Sequence, residues 1–227
     1  MRATALLALL LAATAAAPAA GQSDAVPLGQ FRDVRSDGGA HVTIRHGAVR
    51  GLVVREGSLA VSRVALDGDR LEIERCPSRC PRGYRLEIEL VTPELTSVAV
   101  ENGGVVRTSG AFPAQERAAA AVASGGTVDI RSLSAAHVAA AVAQGGRILT
   151  RPRDELTASI VNGGVITYWG NARVRSSILH GGVVRPGAAA DAERSVAELD
   201  PQPLAPLPAP PIPPAPPLLD KPMPSSN

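Results

Sequence analysis

Aromatic side chains are scarce in this chain: two Phe, two Tyr and one Trp among 227 residues. That leaves little to build the stacked platforms that hold nucleobases or sugar rings. No dense basic run compensates, so a nucleic-acid partner is excluded. All but one of the 23 basic residues are Arg, a bias that fits high-GC bacterial coding, and the formal net charge is only +2. Long apolar runs are also missing. Beyond residue 20 no stretch of 18 apolar residues occurs, so no transmembrane segment is expected in the mature chain. Reactive constellations are absent too. His41, His46, His137 and His180 have no partners at metal-ligand spacing. There is no Gly-x-Ser-x-Gly elbow. Asp33 with Asp37, and Asp67 with Asp69, sit in turn-like contexts where Asp caps backbone. These shortages argue against an enzyme and imply no cofactor and no metal.

What is present begins with an export signal over residues 1–20. Arg2 supplies the charged start, Ala5 to Ala13 a short Leu/Ala core, and Ala17-Pro18-Ala19 a small-residue cleavage site. No cysteine follows, so the signal is not of the lipoprotein kind. Residues 21–30 read as a flexible leader.

Five Gly-Gly pairs punctuate the chain: Gly103 and Gly104, Gly125 and Gly126, Gly145 and Gly146, Gly163 and Gly164, Gly181 and Gly182. Three residues before each pair's first glycine stand Val100, Val122, Val142, Ile160 and Ile178. Three residues after it stand Val106, Val128, Ile148, Ile166 and Val184. A repeat near 20 residues, written in β-branched residues and without helical periodicity, implies an all-β chain built as a β-solenoid, right-handed and parallel-β-helix-like, over residues 91–187. Five positions before each first glycine come Val98, Ala120, Ala140, Ala158 and Ser176, small enough for a tight interior. The glycines are read as structural turns, either at positive φ or close to a neighbouring strand. A phosphate-cradling reading fails, since no helix start or Lys follows at the required spacing. The polar residues preceding the pairs, Asn102, Ser124, Gln144, Asn162 and His180, read as an outward ladder.

Residues 31–90 read as an N-terminal β region of the same head domain. Ser36-Asp37-Gly38-Gly39, followed by Val42 and Ile44, has the form of a degenerate first coil. Leu71-Glu72-Ile73-Glu74 and Leu86-Glu87-Ile88-Glu89-Leu90 alternate with period two, the pattern of half-buried strands expected to pair as an antiparallel hairpin. Between them lie Cys76 and Cys80, the only cysteines. In an oxidising compartment a disulfide is expected; half a metal site and a redox pair are the rival readings. Residues 188–199, rich in Ala and Glu, form a candidate cap over the last coil. Residues 200–227 are too Pro-rich to bury a core and read as a disordered or extended tail.

One surface oddity stands out. Tyr168 and Trp169 are adjacent, with Arg173 and Arg175 nearby, a candidate recognition patch set against the reading of Trp169 as a packing residue.

The order of a secretion signal, Phe31 with Val34, "DGDRLEIE", "VTPELTSVAVENGG" and serial "SGG" or "NGG" corners resembles the auto-transporter adhesin head GIN domain family of bacterial envelope proteins. The likeness spans residues 31–187. It implies a β-helical head without established enzymatic activity and carries over no functional residues. The chain departs from the family pattern in its adjacent corner glycines and its cysteine loop. Residues and resemblance together imply an exported, non-catalytic, adhesion-like or structural binding module, in the periplasm or at the cell surface, with an envelope protein or glycan as partner. The alternatives are a carbohydrate-active β-helix enzyme and a periplasmic scaffold acting through the Pro-rich tail.

Overall fold

The computed structural model describes residues 26–188. The expected signal, most of the expected cap and the expected tail lie outside the described residues. Within them every regular element is a strand: β1 (Val26–Pro27), β2 (Asp33–Asp37), β3 (His41–His46), β4 (Gly51–Glu56), β5 (Arg63–Asp67), β6 (Arg70–Glu74), β7 (Glu87–Thr92) and β8 (Ser97–Glu101) come first. Then follow β9 (Val105–Ser109), β10 (Gln115–Ser124), β11 (Thr127–Asp129), β12 (Ala135–Gln144), β13 (Arg147–Thr150), β14 (Glu155–Asn162), β15 (Val165–Tyr168), β16 (Arg173–His180) and β17 (Val183–Pro186).

These strands form two mixed sheets and no closed barrel. One has nine strands in the order β1-β4-β7-β3-β9-β11-β13-β15-β17. The other has eight, in the order β16-β14-β12-β10-β8-β2-β6-β5. From β8 onward the chain alternates between sheets, so each Gly-Gly pair joins a strand of one sheet to a strand of the other. Such a strand pair makes a tier, and each tier stacks in parallel on the one before it.

The repeat's β-branched positions are the registered ones. Val100, Val122, Val142, Ile160 and Ile178 pair tier upon tier in the eight-stranded sheet. Val106, Val128, Ile148, Ile166 and Val184 do so in the nine-stranded sheet. Because side chains alternate across a strand, both ladders face inward and together form the core. The polar ladder before the glycines is outward, and its regular hydrogen bonds belong to the backbone. The first glycine of each of the first four pairs donates its N–H to the carbonyl of the next tier's polar residue, as Gly125 does to Gln144 O and Gly145 to Asn162 O, both at 3.0 Å.

The two glycines of a corner have different jobs. Gly145 has φ +66° and open space where a Cβ would stand, so only its backbone angle demands glycine. Gly146 has φ +100°, and a Cβ there would lie 2.5 Å from Val122 Cγ1 and 2.9 Å from the carbonyl oxygen of Gly126. The second glycine is required because the tier beneath leaves no room.

The N-terminal region departs from the expected order. Residues Ser36 to Ile44 do form a tier, with Gly38 and Gly39 at its corner, and β2 and β3 stack in parallel on β8 and β9. The expected hairpin between the "LEIE" segments does not form. β6 and β7 lie in different sheets, and each pairs in parallel with the earlier tier, β6 on β2 and β7 on β3. Period-two alternation marks a half-buried strand without naming its partner, and here the partners are distant in sequence. The hairpin that does form joins β5 to β6 through a tight turn at Gly68-Asp69, with Asp67 opposite Arg70. β4 runs antiparallel along β7, and β1 along β4, so part of the expected leader is sheet edge. β7 runs through residues 90–91, where the N-terminal region meets the repeats. The tier of β6 and β7 is thus outermost, although it follows β2 and β3 in the chain. On its way from β7 to β8 the chain passes back beside the start of β2: Leu95 and Phe31 are both fully buried, and Thr96 N–H bonds Arg32 O at 2.7 Å.

Candidate functional site

Two outer surfaces are available for contact. On the eight-stranded sheet, alternation sends Ala119, Ala121 and Ala123 of β10 and Ala139, Ala141 and Ala143 of β12 outward. Side chains this short leave a shallow trough of about 350 Å³, lined among others by Ser97, Ala99, Ala121, Ala141, Thr157 and Ser159. The trough offers flat apolar contact with hydroxyls at its ends. Since it holds no charged anchor, its shape alone names no ligand.

Toward β6 the same face becomes charged, and its carboxylates are engaged. Arg35 Nη2 donates to Glu101 Oε2 at 2.6 Å and faces Glu72 at 3.7 Å. Asp37 accepts from Asn102 Nδ2 at 2.8 Å, and Asp33 accepts from the hydroxyls of Thr96 and Ser97. On the other sheet Glu89 lies between two strands that each supply a guanidinium, Arg45 from β3 and Arg55 from β4. Burial by itself raises the Glu89 carboxyl, but the hydrogen bonds and charges of Arg55 and Arg45 outweigh it and hold the group below the usual carboxylate range. These acids neutralise neighbouring strands. Among the described residues, no group of three His, Cys, Asp or Glu converges as a metal site would require.

The candidate patch is divided. Tyr168 is half-buried and packs against the core from the end of β15. Trp169 is 8% exposed. Its indole N–H donates to Ala188 O at 2.9 Å, and the Arg131 guanidinium stacks 4.7 Å from its ring centroid. Arg131 is itself held by Asp129. Arg173 and Arg175 lie beyond the next corner on β16, in the other sheet, where Arg175 pairs with Glu155 at 2.8 Å. The Arg131–Trp169 stack was not foreseen in the sequence. The two residues are 38 positions apart and meet because each follows a strand end in the nine-stranded sheet.

Cys76 and Cys80 stand as free thiols rather than in the expected bridge. They are close enough to interact: desolvation, then the hydrogen bond to Cys80, pushes the Cys76 thiol upward. Their position was not legible from spacing. Glu74 registers with Asp37, and Glu87 with His41. The cysteine loop, residues 75–86, therefore occupies the place of the Gly38-Gly39 corner in the outermost tier. Arg75 Nη1 bonds Tyr84 O, and Ser62 Oγ bonds Arg75 O, so the loop is tied at its base.

Fold and surfaces define an all-β protein of stacked parallel strands with two broad outer faces. Residues 98–172, from β8 to the corner before β16, match the model of the family described as putative auto-transporter adhesin, head GIN domain. The resemblance read from the sequence is to this same family. Among solved structures, the chain is similar to a putative adhesin from Bacteroides fragilis NCTC 9343, at 16% identity and TM-score 0.41, covering 72% of this chain and 95% of that one. It is similar to a putative adhesin from Parabacteroides merdae ATCC 43184, at 14% identity and TM-score 0.33, covering 73% and 95%. A third is a putative lipid binding protein from Parabacteroides distasonis ATCC 8503, at 14% identity and TM-score 0.29, covering 72% and 95%. No curated protein matches the chain.

Proposed function

We propose that this chain is an exported, non-catalytic binding module of the bacterial envelope, an adhesin-like head over residues 31–187 whose repeats, residues 91–187, are built as a parallel β-solenoid. The observation that carries the reading is the family match over residues 98–172. Stacked, in-register strands favour such a role physically. They hold outward side chains at a fixed spacing of about 4.8 Å along the stack, so little ordering entropy is lost on contact. Residues 1–20 then serve as the export signal, and residues 200–227 as a Pro-rich spacer. In an oxidising compartment the neighbouring Cys76 and Cys80 thiols close to a disulfide. Intact-mass measurement of the exported protein, two hydrogens lighter than the dithiol, checks that step.

The test of function is direct binding of the purified full chain to defined glycans and purified envelope proteins. Ala141→Arg on one outer face and Arg147→Glu on the other serve as folded variants. Saturable binding lost in one variant supports a binding head and assigns the face. The absence of binding to every probe would overturn the reading.

A further inference from the structure

The outer face of the nine-stranded sheet differs in charge from its counterpart. Val106, Ile148 and Val184 face the core, so their neighbours Arg107, Arg147 and Arg185 project outward, and all three are exposed. Arg107 and Arg185 share one register column, with Asp129, Leu149 and Thr167 between them. Arg147 stands in the adjoining column, with Thr127 and Val165 on either side. At about 4.8 Å per strand, Arg107 and Arg185 are about 19 Å apart along the stack, with Arg147 near the midpoint. Among the described residues none of the three forms an ion pair. Asp129, the one carboxylate on strands β9, β11, β13, β15 and β17, is already held by Arg131. From β9 to β17 the face therefore carries three unpaired arginines, and the next carboxylates along the same columns, Glu87 and Glu89, stand on β7, Glu89 being held by Arg45 and Arg55.

We propose that this face binds a linear anionic glycan whose carboxylate or phosphate groups follow the line of arginines. The proposal rests on the binding-module reading and names its ligand class. Guanidinium groups suit both anions because their planar fork offers paired donors. Successive arginines step about 10 Å along the stack and alternate between adjoining columns about 7 Å apart, a spread that suits a repeating polymer better than a single phosphate. A membrane is disfavoured by the side chains around them. Surfaces that enter lipid present protruding Trp, Phe or Leu, whereas here Trp169 is covered by Arg131 and bonded to Ala188. Half-buried Leu149 and Val165 lie flat among the strands, and among the described residues Val183 is the one exposed apolar side chain beside the arginines.

The experiment measures binding of the full chain to polygalacturonate, a linear carboxylated glycan, with neutral dextran and phosphatidylglycerol-containing vesicles alongside. The triple variant Arg107→Glu, Arg147→Glu, Arg185→Glu is compared with a control of equal charge change, Arg70→Glu, Arg117→Glu, Arg173→Glu. The control residues are exposed positions on the other sheet. The expected result is polygalacturonate binding by the unaltered chain, weakened about 30-fold or more in the first variant, at roughly threefold per lost contact, and nearly unchanged in the control. It should also weaken as salt rises. Equal loss in both variants would reduce the effect to net charge and overturn the proposal. Vesicle binding without polygalacturonate binding would overturn it in favour of a membrane. Dextran or protein binding that survives the triple reversal would sink this face while leaving the binding-module reading intact.

Discussion

The two ends of the stack are built differently. At one end the outermost parallel tier, β6 and β7, is covered by antiparallel β5 and β4, and its inward Leu71, Ile73, Ile88 and Leu90 are at most 1% exposed. At the other end β16 and β17 have no further strand beside them among the described residues. The inward Ile178 is 42% exposed there, and the inward Val184 is only half-buried. One inward ladder runs through both ends: Ile73, Ser36, Val100, Val122, Val142, Ile160 and Ile178, in register throughout. The same side-chain position thus passes from sealed core to open edge without changing chemistry. The lesson is that a repeat supplies its own interior, but its ends must be closed by something outside the repeat. Here the N-terminal closure takes chain that leaves the second tier, wraps the first, and then returns.

Breaking the interior should cost most. Gly146→Ala forces a Cβ against Val122 and the Gly126 carbonyl at a positive φ, and a loss of about 3 kcal/mol or more is expected. Gly145→Ala faces open space and bears only the φ penalty, about 1 kcal/mol. Equal losses in chemical denaturation would refute the division of labour within the corner. At the edge, a Cβ on Gly182 meets Ile160 Cγ2 at 2.6 Å, but the tier it belongs to can shift outward. Gly182→Ala should cost clearly less than Gly146→Ala.

Truncating one ladder position compares the ends with less disruption. Ile160, 1% exposed, should lose about 3 kcal/mol on mutation to Ala, and Ile178 less than about 1. Matching values would mean that Ile178 is covered in solution.

How far the sequence could be read follows the same divide. From Val98 to Val184 the tiers follow one another in the chain, so a fixed spacing of β-branched residues around Gly-Gly specified which side chains face inward. At the closed end that locality is lost. The alternation of Leu71 to Glu74 and of Leu86 to Leu90 identified two strands correctly, yet their partners, β2 and β3, precede them across the intervening β4 and β5. No local pattern encodes that choice. The candidate patch failed to assemble for a related reason. Tyr168 and Trp169 are neighbours in the chain, but Tyr168 packs against the core and the burial of Trp169 depends on Arg131, two tiers away. The outward arginines were present in the repeat and became a surface only when register aligned them.

A smaller effect distinguishes the ends electrically. Glu89 is paired by Arg45 and Arg55 near the closed end, and its carboxyl is depressed in the fold. A depressed carboxyl contributes stability that is present above the ordinary glutamate range and is lost as pH falls through the folded-state value. Glu89→Gln should therefore cost about 1 kcal/mol at pH 7 and progressively less as pH is lowered from there through the folded-state value, because protonation removes the same interaction. A constant difference between the two denaturation midpoints across that range would show that the pairs contribute nothing through charge.

The last comparison is within the ladder itself, where Ser36 interrupts a run of Val and Ile. It is fully buried between Ile73 and Val100, and its hydroxyl has no hydrogen-bond partner. A buried hydroxyl without a partner loses its water and gains nothing in return. Ser36→Val restores the β-branched column and should stabilise by about 1 kcal/mol, provided the tier accepts the added volume. The sign is the informative part. A gain in the denaturation midpoint means the closed end is packed as loosely as the Val tiers. A loss means that β6 presses closer on β2 than the repeat tiers press on each other, and that Ser36 is small because the closure requires it.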